Sequence, residues 1–173
     1  PAEIDSDFPV DVDVVGDLGD ALWQMSEELN HRFEGKLPLF DINDRKKLRD
    51  TILADLFAEE NNASFPAKPQ KIINDVQKFL GPKDIVLSDV GAHKMWISRY
   101  FNCEEPNRCL ISNGFCTMGI ALPGGIGAHY AEPNVRVLAI SGDAGFLMNV
   151  QELETAVRLK IKMVHMVWVD GEY

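Results

Sequence analysis

Residues 135–159 read VRVLAISGDAGFLMNVQELETAVRL. VRVLAI is a short apolar run, as in a strand buried on both faces, and VQELETAVRL spaces its apolar residues by three and four, as an amphipathic helix does. SGDAGFLMN is therefore a glycine-bearing turn from strand to helix. Such turns hold anions, because bare amides and the positive end of the following helix face the same point. Asp143 stands in the middle of the turn, and its carboxylate repels an anion. The residue also reads as a helix N-cap that satisfies free amides.

Working outward, the apolar runs IVLSDVG (85–91), CLISNG (109–114), VRVLAISGD (135–143) and KMVHMVWVD (162–170) share one texture. Helical patterns at about 118–130 and 149–160 separate them. Strands alternating with helices predict an α/β fold, a parallel sheet with helices on both faces. In such sheets ligands bind outside the carboxyl ends of the strands. Asp89, Gly91, Asn113, Gly114, Asp143 and Asp170 fall at those ends. Asp170 closes the strand after that of Asp143, so adjacent strands would carry both acids to one rim. Two carboxylates beside phosphate-binding amides suit Mg²⁺, which completes its octahedron with water and phosphate oxygens. The cation removes the conflict at Asp143.

Before the sheet, PQKIINDVQKFLG (69–81) starts on Pro69 and stops at Gly81-Pro82, which predicts a helix burying Ile72, Ile73, Val76 and Phe79. Residues 17–33 place Leu18, Leu22, Met25, Leu29 and Phe33 on one helical stripe. PVDVDVVGD (9–17) alternates like a strand with one face in water. A second helix is expected from Asp41 or Asp44 towards Glu60, with Leu48, Ile52, Leu56 and Phe57 inward and DRKKLRD outward, and ENNASFPAKP (60–69) reads as a linker.

Composition narrows the classes. The net charge of -10 opposes a nucleic-acid surface, and residues 1–20 hold seven acids without a Lys or Arg. No apolar run approaches the roughly 20 residues of a membrane span, and the first residues lack a signal peptide's basic start and apolar core. A cytoplasmic location is the default expectation. Cys103, Cys109 and Cys116 are odd in number and lack CxxC spacing, so they are read as reduced thiols. A start at Pro1 without Met and a stop three residues beyond the last strand run suggest a fragment.

The Gly-Asp turn followed by a helix, a strand and Asp170 resembles the signature of thiamine diphosphate enzymes, with Ala144 where they usually carry Gly. SDVGAHKMWISRYF (88–101), ISNGFCTMGIALPGGIGAHYAEP (111–133) and ELETAVRLKIKMVHMVW (152–168) resemble the diphosphate domain of acetolactate synthases, in particular the catabolic, FAD-independent type. The resemblance implies thiamine diphosphate and Mg²⁺ as cofactors, with Asp143, Asp170 and the backbone carbonyl of Glu172 as metal ligands. Gly91, His93, Gly142, Asp143, Ala144 and Gly145 would line the diphosphate, His93 as a donor. Cys116 would offer its carbonyl to the 4'-amino group, and Met118 would be the apolar wedge that bends the cofactor. A substituent at Ala144 would strain the turn if its φ were positive.

The same resemblance implies that two pyruvates condense to 2-acetolactate and CO2 through an enamine. No catalytic side chain falls in this chain; the glutamate that touches the pyrimidine belongs to another domain, supplied by a second subunit of a homodimer or homotetramer. The isolated chain would then be inactive. Residues 1–30 would close a central Rossmann-like domain, 31–65 form a helical linker region and 66–173 a truncated diphosphate domain. Pyruvate oxidase or decarboxylase chemistry, a nucleotide-binding module and a non-catalytic scaffold are the alternatives; SDVGAHKMW lacks the G-x-G-x-x-G a dinucleotide module would show.

Overall fold

The structure is a computed structural model, and it describes residues 10–36 and 42–171. The chain forms two compact units, residues 1–46 and 47–173. In the first, α1 (Leu18–Phe33) is capped by Asp17, whose carboxylate accepts from the Asp20 amide at 3.0 Å. Its predicted stripe is helical, yet none of its residues is buried. The strand expected over 9–17 does not form: residues 10–17 hold no strand, and Val10, Val12, Val14 and Val15 are exposed. Alternation gives a strand only where a neighbouring strand accepts its backbone hydrogen bonds, and none does so here among the described residues.

The second unit is built on a four-stranded parallel sheet in the order β2-β1-β3-β4. The strands are β1 (Ile85–Ser88), β2 (Cys109–Ile111), β3 (Val137–Gly142) and β4 (Val164–Trp168). Around them run α2 (Ile42–Ala58), which begins in the first unit, α3 (Pro69–Phe79), α4 (Ala92–Tyr100), α5 (Ala121–Ala131), α6 (Asp143–Met148) and α7 (Glu152–Arg158). All four predicted strands and the α3 helix are present; α4 lies in a stretch where sequence periodicity gave no helix.

Strand alternation assigns the two faces. Val86, Leu138 and Ile140 join Leu56, Ile73, Ile97 and Tyr100, so α2, α3 and α4 cover one side. Ile85, Leu87 and Val137 point the other way, packed by Ala128 of α5 and by Met163. Of the α2 residues expected inside, only Leu56 is buried, and Leu48, Ile52 and Phe57 are exposed. Leu53 packs beside Leu56 instead, three residues apart on one helical face. Phe79 of α3 is exposed as well, beneath the Arg136 guanidinium at 4.8 Å from its ring.

Candidate functional site

After β1 the chain moves to β2 on one side, and it then returns across β1 to β3 on the other. The strand order therefore reverses between β1 and β3, and a ligand crevice is expected outside their carboxyl ends. The Asp89 amide donates to the Ile140 carbonyl at 2.8 Å and ties those two ends. α4 starts after Gly91 and α6 after Gly142, and neither N-terminus has a side-chain cap. Two helix N-termini without a side-chain N-cap thus flank the switch point. Asp143 is not the N-cap: Gly142 occupies that position, and Asp143 is the first helical residue, its Oδ1 accepting from the Ala144 amide at 2.8 Å.

Gly142 pairs with Trp168 across β3 and β4. Asp143 therefore lies one residue, and Asp170 two residues, beyond a paired position on neighbouring strands. Adjacent strands run about 4.8 Å apart, so both acids belong to one rim, Asp143 half-buried and Asp170 exposed. Glu172 lies outside the described residues. Among the described residues no group of three His, Cys, Asp or Glu side chains gathers to hold a metal, at this rim or elsewhere. Carboxylate oxygens at a rim beside two helix N-termini are the donor type a hard divalent cation takes.

Gly91 has φ +149°, and a Cβ there would lie 2.8 Å from Cε1 of His93. The backbone of this turn is bare because no side chain fits. Ala144 has no positive φ, so the strain that a substituent could cause there is absent. A Cβ on Gly145 would meet the Asp89 carboxylate at 3.0 Å.

His93 is buried, stacked on Trp168 with centroids 6.4 Å apart, and its Nε2 lies 3.1 Å from the Asp89 carbonyl. A carbonyl only accepts, so Nε2 carries the proton and the other nitrogen of the neutral ring is an acceptor. In this geometry the donor capacity expected for a phosphate oxygen is spent on the backbone, and the ring braces the turns at Gly91 and Gly142. Burial pushes His93 below the ordinary imidazole range, against the Asp89 charge and carbonyl, which raise it. Burial likewise lowers His165, whose Nε2 lies 2.8 Å from the Ser141 hydroxyl.

A neutral buried imidazole binds fewer protons than its unfolded counterpart, so stability rises with pH where the unfolded ring titrates. The contribution is complete above the unfolded value near 6.5 and is lost as pH falls below it. The melting temperature should therefore drop from about pH 7 towards pH 5, and His93→Gln should flatten the slope. A wild-type profile flat over that range would refute the buried neutral ring.

The segment after β2 is open. Phe115 is 99% exposed, Cys116 and Met118 are also exposed, and Cys116 adopts φ +50°. Lys94 Nζ approaches this segment at the Ser112 carbonyl (3.3 Å) and the Cys116 thiol (3.4 Å). None of the three cysteines is in a disulfide. The structure thus gathers Gly91, His93, Gly142 and Gly145 at the switch point, sets Asp143 and Asp170 on the adjoining rim, and carries Cys116 and Met118 on a loop beside it. Sequence reasoning placed Asp89 at a strand end without giving it a role. Its partners lie some thirty residues away, at Gly119 and Ala121.

Residues 89–173 match the thiamine pyrophosphate enzyme family, over its C-terminal TPP binding domain. Residues 89–173 belong to this family. It is 36% identical to the acetolactate synthase of Bacillus subtilis (strain 168), over 99% of this chain and 30% of that protein. It is 35% identical to the catabolic acetolactate synthase of Raoultella terrigena, over 100% of this chain and 31% of that protein. A probable acetolactate synthase large subunit of Methanococcus aeolicus is 33% identical over 95% of this chain and 29% of its own length. The chain spans about three tenths of the curated relatives it matches. Its four-stranded parallel α/β sheet is consistent with that TPP binding domain. Among the described residues no helix is long and apolar enough to cross a membrane.

Proposed function

We propose that the protein is an acetolactate synthase dependent on thiamine diphosphate and Mg²⁺, condensing two pyruvates to 2-acetolactate and CO2. The observation that carries this reading is the switch point itself: two uncapped helix N-termini beside two carboxylates on neighbouring strands. Asp143, Asp170 and the Glu172 carbonyl would hold the metal. The turns at Gly91 and at Gly142 to Gly145 would cradle the diphosphate, Cys116 would offer its carbonyl and Met118 its apolar side chain. When bound, the cofactor supplies the electron sink that lets a 2-oxo acid lose CO2. The protein's part is orientation and charge, which suits a site without an obvious acid or base of its own. In the domain reading, residues 1–30 close a central domain, 31–65 link and 66–173 bind the diphosphate.

The exposure of Phe115 and Met118 supports a site completed by a second subunit, which would bring the pyrimidine-side glutamate. The test is product analysis on the full-length protein with pyruvate, Mg²⁺ and thiamine diphosphate, without FAD. Acetolactate that disappears when metal or cofactor is withheld is expected, as is no product from the 173 residues alone. Acetaldehyde or acetyl phosphate would move the protein to a sister activity. Absence of cofactor binding would overturn the reading.

A further inference from the structure

Asp89 is 1% exposed, and among the described residues no other acid is buried in this way. Burying a carboxylate is costly unless hydrogen bonds replace water, and here every one it accepts comes from a backbone amide. Oδ1 accepts from Val90 at 2.7 Å, both oxygens lie 2.9 Å from the Gly119 amide, and Ala121 makes a longer approach of 3.5 Å. The carbonyl of the same glycine accepts from Asn149 Nδ2 at 2.8 Å, and Asn149 is the C-cap of α6. Gly119 is therefore gripped on both sides, at its N–H by the residue that follows β1 and at its C=O by the residue that follows α6. Gly145 leaves room for the carboxylate, since a Cβ there would come within 3.0 Å of Oδ2.

A turn acid without such a duty would stay in water. This one also places negative charge beneath a rim of anion-binding amides, which weakens anion binding unless its geometric role outweighs the cost. The neighbour of the gripped glycine is Met118, on a loop otherwise approached by Lys94. We infer that Asp89 and Asn149 are positioning residues of the cofactor site, which clamp the Gly119 backbone and so fix Met118 relative to the turns at Gly91 and Asp143. The consequence for the cofactor rests on the function proposed above. Neither side chain is required to touch the cofactor.

The test uses the full-length protein, with amide hydrogen exchange in the cofactor-free state and calorimetric titration with thiamine diphosphate in the presence of Mg²⁺. In the wild type the Gly119 and Ala121 amides are expected to be protected before any cofactor is added. Asp89→Asn keeps the shape but turns a donor towards the Gly119 N–H. It should weaken thiamine diphosphate about tenfold or more, as expected for a charged hydrogen bond, with faster exchange confined to residues 118–121. The β3 amides and the pyruvate KM at saturating cofactor should not move. Asn149→Ala should weaken the cofactor by roughly two- to tenfold, and it decides the matter if Asp89→Asn does not fold.

Unprotected Gly119 in the wild type, or cofactor affinity unchanged in the variants, would overturn the clamp. So would exchange accelerated evenly across the sheet, which marks a residue of general stability. A wild type that shows the protected amide yet binds no thiamine diphosphate would overturn the function reading, and the cofactor role of the clamp would fall with it.

Discussion

Asp143→Ala in the full-length protein is expected to lower thiamine diphosphate-dependent turnover by roughly 100-fold or more, with the fold intact. The lower bound follows from metal sites in general, where losing even an outer partner of a ligand costs 10–100-fold. A ligand itself should cost more. Retention of fold follows from the local contacts: Asp143 is half-buried, and the hydrogen bond it accepts comes from the neighbouring amide of Ala144. Removing an acid from the first turn of a helix costs about 0.3–1 kcal/mol, which a folded domain survives. The deciding measurement is Mg²⁺ titration of cofactor binding. The alanine variant should need far more Mg²⁺, while its melting temperature without cofactor stays close to the wild type. Unchanged Mg²⁺ dependence would return Asp143 to a role in helix electrostatics.

Under the proposed function, a cation between the acid and the phosphate would account for the carboxylate in an anion-binding turn, and the residues for that reading stand in the sequence. The pairing of Gly142 with Trp168 is what sets Asp143 and Asp170 on one rim. The same apolar runs made the sheet legible, because a strand covered on both faces needs apolar residues at successive positions, as Val137 to Ile140 provide.

Elsewhere local pattern and tertiary outcome part. Val and Asp alternate at 10–14, but the alternation fixes only which way side chains would point, and no described strand accepts the backbone there. The α1 stripe has the right period and still buries nothing. Helix α4 was harder to see because Trp96, Ile97 and Tyr100 share the helix with His93, Lys94, Ser98 and Arg99, and the chain enters it through a glycine of positive φ. His93 was singled out by its position after a strand's carboxyl end, whereas the direction of its ring depended on the Asp89 carbonyl and on Trp168 from β4. Asp89 shows the limit most directly. A lone acid after a strand looks like a turn residue, and only the folded chain brings Gly119 and Gly145 against it.

Gly91→Ala should cost about 1–3 kcal/mol of stability and remove most of the cofactor affinity. Two causes act at the same atom. At φ +149° an L side chain is strained whatever the surrounding space, and here the space is taken, with His93 Cε1 at 2.8 Å and Nδ1 at 2.9 Å from the new Cβ. The ring cannot swing away cheaply, because Trp168 stacks on it and the Asp89 carbonyl holds Nε2. Relief must come from the backbone of the turn, and the turn supplies the amides that lead into α4. The two losses are separable by experiment: chemical denaturation reads the strain, and titration with thiamine diphosphate and Mg²⁺ reads the cradle. His93→Ala added to Gly91→Ala removes the clashing ring and should recover part of the stability, leaving the penalty of positive φ. If the double variant is no more stable than Gly91→Ala, the ring is not what excludes a side chain at this position. Unchanged affinity in Gly91→Ala would mean that the diphosphate is held by the β3 turn without the first one.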